Sequence, residues 1–104
     1  MITPEREQEE ISRIRIPKKG ELLGIATAML GAGKVNVECD DGKIRICRIP
    51  GKIVKRVWIN PGDLILIEPW KVQSNERGDI KWRYTRTQVA WLKRKGYIKR
   101  LNIE

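Results

Sequence analysis

The chain of 104 residues, 40% of them hydrophobic, is long enough for one compact core and too short for two. It has no histidine, which removes the commonest general base and metal ligand. It also has no apolar run near the ~18 residues that a membrane-spanning helix needs. A formal net charge of +9 points instead toward a polyanionic partner.

The segment from 1 to 20 reads as a flexible N-terminal extension. Its start, Met1 to Glu10, is polar and acidic and resembles no secretory or transit peptide, so a cytoplasmic location is expected. Ile11, Ile14 and Ile16 are candidates to dock on the domain, and Pro17 and Gly20 end the segment. The barrel proper is expected over 21–84. Its first strand runs from Glu21 to Met29, with Gly24 marking a bend or a close backbone approach. Gly31-Ala32-Gly33 is a turn. With Lys34 it faintly suggests a phosphate-binding loop, but Ala28 and Val35 stand where that motif needs glycine and a hydroxyl residue.

Val35 to Cys39 alternates apolar and polar residues, as does Lys43 to Arg48, and Asp41-Gly42 between them is a type I′ turn signal. A two-residue turn there pairs Asp40 with Lys43, Cys39 with Ile44 and Val37 with Ile46. Glu38 then faces Arg45 on the outer side, a favourable cross-strand pair. A slip of one residue would set Val37 against Arg45 and spoil both faces. The register thus expects Ile44 and Ile46 in the core, with Lys43, Arg45 and Cys47 on the opposite face. Both cysteines, Cys39 and Cys47, read as small buried hydrophobes.

Pro50-Gly51 ends this strand and opens a basic-apolar stretch to Trp58. Asn60-Pro61-Gly62 is a turn, and Asp63 to Glu68 is a strand buried on both faces. Ser74 to Asp79 reads as a loop and Ile80 to Tyr84 as a fifth strand, with Trp82 and Tyr84 on one face. Residues 85–104 form a C-terminal helix and short basic tail. Thr85 and Gln88 fit a capping box, Lys93, Arg94 and Lys95 suit the negative end of the helix dipole, and Gly96 suits its stop. The fold class is mainly β: a five-stranded oligonucleotide-binding (OB) barrel with one C-terminal α-helix, an SH3-like barrel being the alternative.

The positive charge is clustered. From Lys43 to Trp58 there are six basic residues and no acid, and from Ile80 to Glu104 eight basic residues against Glu104 alone. In OB barrels the second and third strands and their flanking loops meet nucleic acid. Lys34, Lys43, Arg45, Lys52, Lys55 and Arg56 are therefore candidates for phosphate contacts. Trp58 fits either base stacking or the core. No catalytic constellation is visible. Asp40-Asp41 reads as turn chemistry, the cysteines lack a zinc ligand set, and neither enzyme activity nor a cofactor is expected.

Met29 to Val35, followed by Val37 to Gly42, resembles the opening of the archaeal and eukaryotic translation initiation factor 1A family. Pro50-Gly51-Lys52-Ile53-Val54-Lys55-Arg56-Val57-Trp58-Ile59 resembles its most recognisable segment, and Gly62 to Ile67 follows as in that family. The similarity extends from about Ile14 to Ile98. Pro50 and Val54 depart from it, standing where the family usually has arginine. The resemblance implies an OB fold that docks in the decoding A site of the small ribosomal subunit. There it would contact ribosomal RNA and help place initiator tRNA on the start codon of mRNA. It maps RNA-binding positions onto Lys34, Lys52, Lys55, Arg56 and Trp58. The chain stops at Glu104 without the long acidic tail of eukaryotic members, so an archaeal form is expected; a monomer is the default expectation. Leu101 to Glu104 faintly echoes the motif with which that tail engages a partner GTPase. A general single-strand RNA chaperone is the alternative function, and a protein adaptor using Trp70 or Trp91 is a third class.

Overall fold

The computed structural model describes residues 13–51 and 58–101. Five strands appear in order: β1 (Leu22–Gly31), β2 (Lys34–Cys39), β3 (Ile44–Arg48), β4 (Leu64–Pro69) and β5 (Arg77–Arg83), followed by helix α1 (Arg86–Arg94). They close into a barrel in the order β1-β2-β3-β5-β4. Every seam is antiparallel except β3–β5, a short parallel pairing of Ile46, Cys47 and Arg48 with Arg77, Gly78 and Asp79.

The long β1 lets the barrel close, because it pairs with β4 over Leu22–Ile25 and with β2 from Gly24 onward. Gly24 lies on both ladders. A Cβ there would sit 2.5 Å from Val37 Cγ1 and 3.2 Å from the Glu38 carbonyl, so the close approach expected of this glycine is real. Inside the cylinder, Ala26, Val35, Val37, Cys39, Cys47, Ile59, Ile65, Ile67 and Ile80 form the core. Strand β4 is buried on both faces, as its apolar run suggests. Ile65 and Ile67 point inward, while Leu64 and Leu66 point outward beneath Leu92 of α1, with Leu23 and Tyr84 beside them.

The β2–β3 register corrects the sequence expectation. Val37 pairs with Arg45 and Glu38 with Ile44, the slip that pattern alone rejects. The Cys39 N–H donates to the Lys43 carbonyl and the Gly42 N–H to the Cys39 carbonyl, and Gly42 has φ +85°. The loop is thus three residues long, a tight turn finished by glycine in the left-handed region. One added loop residue turns β3 over: Arg45 and Cys47 face inward, and Ile44 is left 63% exposed. Strand β5 also begins earlier than expected. Arg77, Gly78 and Asp79 are paired rather than looped, because Gly78 lets the backbone pass close to the Glu68 carbonyl and Cys47 Sγ.

Helix α1 has the expected capping box: Gln88 N–H donates to Thr85 Oγ1, and Thr85 N–H to Gln88 Oε1. Its end is a Schellman motif, with Gly96 at φ +81°, Tyr97 N–H donating to the Leu92 carbonyl and Gly96 N–H to that of Lys93. The chain then turns back across the barrel. The Asp40 carboxylate receives the backbone N–H groups of Lys99, Arg100 and Leu101 at 3.0, 2.6 and 3.1 Å. At the other terminus, Ile14 packs on the outer apolar cluster, the Arg15 guanidinium lies 4.6 Å from the Trp82 ring centroid, and the Arg15 carbonyl accepts from the Tyr84 hydroxyl. Ile16 remains exposed, and Ile11 lies outside the described residues.

Candidate nucleic-acid interface

The end of the barrel that holds the β1–β2 turn is built on unusual backbone. Gly31, Ala32 and Gly33 all have positive φ, which turns the chain sharply and presents Lys34, exposed, at the start of β2. Lys34 stands directly across the ladder from Arg48, whose side chain is 60% exposed. The Ile49 N–H donates to the Gly33 carbonyl at 2.8 Å, so the chain leaves the barrel for its basic segment beside this turn. It returns at Ile59, whose side chain enters the core at 7% exposure, while the neighbouring Trp58 is 81% exposed. The core reading of Trp58 is thereby excluded. Lys52, Lys55 and Arg56 lie outside the described residues; both ends of their segment are fixed to the barrel.

The remaining candidates do not join this group. Lys43 is exposed at the tip of the β2–β3 hairpin, the opposite end of β2 and β3 from Lys34 and Arg48. Its N–H donates to Asp41 Oδ1 at 3.1 Å. Arg45 is 3% exposed and faces inward, in contrast to the surface position expected of it. Its Nη1 and Nη2 donate to Asp41 Oδ1 and Oδ2 at 3.1 and 2.9 Å, and its Nε donates to the Ser74 carbonyl at 2.6 Å. This bidentate donation holds the Asp41 carboxyl below the usual carboxylate range. The physical cause of the correction is the longer loop, which turned Arg45 from the outer face to the inner one.

Sequence reasoning passed over Arg48, which was counted in the basic stretch but not singled out. The signal that would have found it is the register, since the three-residue loop sets Arg48 opposite Lys34. Asp40 and Asp41 do more than shape a turn: one carboxylate clamps the C-terminal strap and the other pairs with Arg45. The two cysteine thiols are free and buried, and burial raises both, Cys47 to about 12. Among the described residues no helix is long and apolar enough to cross a membrane.

Comparison with known proteins shows which family the chain belongs to. The family model described as translation initiation factor 1A / IF-1 matches residues 9–104. A translation initiation factor 1A from Methanothermobacter thermautotrophicus is 53% identical over 91 residues, covering 88% of this chain and 92% of the relative. One from Methanopyrus kandleri is 56% identical over 92 residues, covering 88% and 82%. The solution structure of a translation initiation factor from the Wolbachia endosymbiont of Brugia malayi is similar at a TM-score of 0.51 and 30% identity, covering 64% of this chain and 79% of that one. The chain belongs to the translation initiation factor 1A family, whose members are non-enzymatic factors of translation initiation.

Proposed function

We propose that this protein binds the small ribosomal subunit at its decoding A site and promotes placement of initiator tRNA on the start codon. It acts in the cytoplasm, by occupancy and electrostatics, without chemistry. The observation that carries the reading is Trp58. A tryptophan left 81% exposed, next to an anchored Ile59, ends a basic segment that leaves the barrel beside Lys34. Such an indole is placed to stack on a base while the cations of Lys34, Lys52, Lys55 and Arg56 neutralise phosphates. Arg45 is left out of this surface, and Lys43 would contact RNA only as an outlying cation. Ribosomal RNA, initiator tRNA and mRNA are the expected neighbours. A GTPase is a weaker candidate, because Leu101 packs on the outer apolar cluster.

The test is equilibrium binding to small subunits across a salt series. Affinity is expected to fall by roughly 0.7–0.9 log unit per phosphate contact per decade of salt. Arg56→Glu is expected to weaken binding far more than Arg6→Glu, with unchanged circular dichroism. A flat salt response, or equal losses in the two variants, would overturn the reading. Equal affinity for free oligonucleotides would favour a general RNA chaperone instead.

A further inference from the structure

Trp70 follows β4 and is not a core residue. It belongs to neither apolar cluster among the described residues, and 37% of it is exposed. Yet it is held at two points. Its backbone N–H donates to the Arg77 carbonyl at 3.0 Å, and its indole Nε1–H donates to Asp79 Oδ1 at 3.0 Å. The same carboxylate receives Arg48, with Nε 3.2 Å from Oδ1 and Nη2 3.3 Å from Oδ2. The Arg48 guanidinium lies 5.9 Å from the Trp70 ring centroid, at the outer limit of a cation–π contact.

An exposed indole with its edge and backbone both fixed has lost the freedom that a binding partner would otherwise have to remove. Beside it opens a shallow recess of about 400 Å³, lined by Gly20, Glu68, Pro69, Trp70 and Lys71. The acids nearby are answered: Asp79 by Arg48, and Glu68 by Lys81 at 3.4 Å. What faces outward is an aromatic surface between Lys71 and Arg48, and Arg48 stands across the ladder from Lys34. Aromatic surface flanked by cations is the chemistry that grips a single-stranded nucleotide.

We propose that Trp70, braced by Asp79 and Arg48, is a stacking platform for one unpaired RNA base, with Lys71 meeting a flanking phosphate. This rests on the RNA-binding reading above and extends its surface from Trp58 and Lys34 around the barrel to the β4–β5 loop. Trp70→Ala in the full chain lowers affinity for small subunits by about 5- to 150-fold, the effect of removing one stacked base. Trp70→Phe, which keeps a ring but loses the indole N–H brace, falls between the wild type and Trp70→Ala. Lys71→Gln flattens the salt slope by about one unit, whereas Trp70→Ala leaves it unchanged.

Chemical probing of the small-subunit RNA supplies a second measurement. One unpaired nucleotide is protected by the wild type, partly protected by Trp70→Phe and left reactive by Trp70→Ala. Thermal melts of the free variants separate loss of folding from loss of contact. If the wild type binds with steep salt dependence and Trp70→Ala binds equally well with the same footprint, the platform is wrong and the RNA-binding reading stands. If the wild type does not bind at all, both fall.

Discussion

Arg45 shows how one side chain can serve the frame rather than the ligand. It ties the β2–β3 loop to the β4–β5 loop through Asp41 and the Ser74 carbonyl. The two members of the pair are unequally buried, at 3% and 27% exposure, and the cost of losing each should differ accordingly. Asp41→Ala strands a buried guanidinium and is expected to cost about 3–5 kcal/mol in urea unfolding. Arg45→Met fills the space with an apolar chain, lets Asp41 turn to water, and is expected to cost clearly less. The reverse order would mean that the pair is not what holds the loops. Because Asp41 is depressed below its ordinary value of 3.8 in the fold, its contribution is complete above that pH and is lost as pH falls through the folded value. Acid unfolding of Asp41→Asn should lack that component. The face of Arg45 was not legible in advance for a specific reason. Asp41-Gly42 satisfies both the two-residue and the three-residue loop, since each needs Gly42 at positive φ. Residue chemistry then favours the wrong one, placing Ile44 and Ile46 inside and the arginine outside.

At the scale of elements, local signals and long-range ones part company. The helix could be read from Thr85, Gln88 and Gly96 because capping is a matter of neighbours within a turn. Strands β2 and β3 and the second half of β5 were legible from alternation, and the two-faced burial of β4 from its unbroken apolar run. The strap after α1 could not be read, because Asp40 reaches it from about sixty positions away in the chain. That contact yields its own prediction. Asp40→Ala leaves three backbone N–H groups without their acceptor and frees residues 97–101, at an expected cost of about 1–2 kcal/mol. Hydrogen exchange should show faster deuteration of the amides of Lys99, Arg100 and Leu101, with β1 and β4 unchanged. Protection that persists at those amides would assign the strap's docking to Leu101 and Ile98 in the outer apolar cluster instead.

For the whole molecule, the barrel sorts charge by its ends. Lys34, Arg48 and the root of the basic segment gather at one, while Lys43, Lys99 and Arg100 lie near the other, around the β2–β3 hairpin and its strap. A single basic strip was the natural reading of a linear sequence, because the charge runs on without interruption from Lys43 to Arg56. Strands β2 and β3 carry Lys43 away from Lys34 and Arg48, while Lys52, Lys55 and Arg56 lie outside the described residues. The two thiols report on the cylinder that separates the ends. Buried, with pKa values raised, they are expected to react slowly with a disulfide reagent at pH 8 and at once in denaturant. Prompt labelling of the native protein would mean that the barrel opens readily.

The parallel seam between β3 and β5 gives that last experiment a further reach. Three rungs close it, and Cys47 sits on the middle one, opposite Gly78. The ring therefore behaves as a bracelet with one short clasp, and Cys47 is the jewel behind it. Arg48 and Asp79 form the rung next to Cys47, and their ion pair bridges the clasp from outside. Arg48→Gln removes that bridge while leaving the core untouched, and faster labelling of Cys47 in the native variant than in the wild type is the expected sign that the clasp guards the thiol.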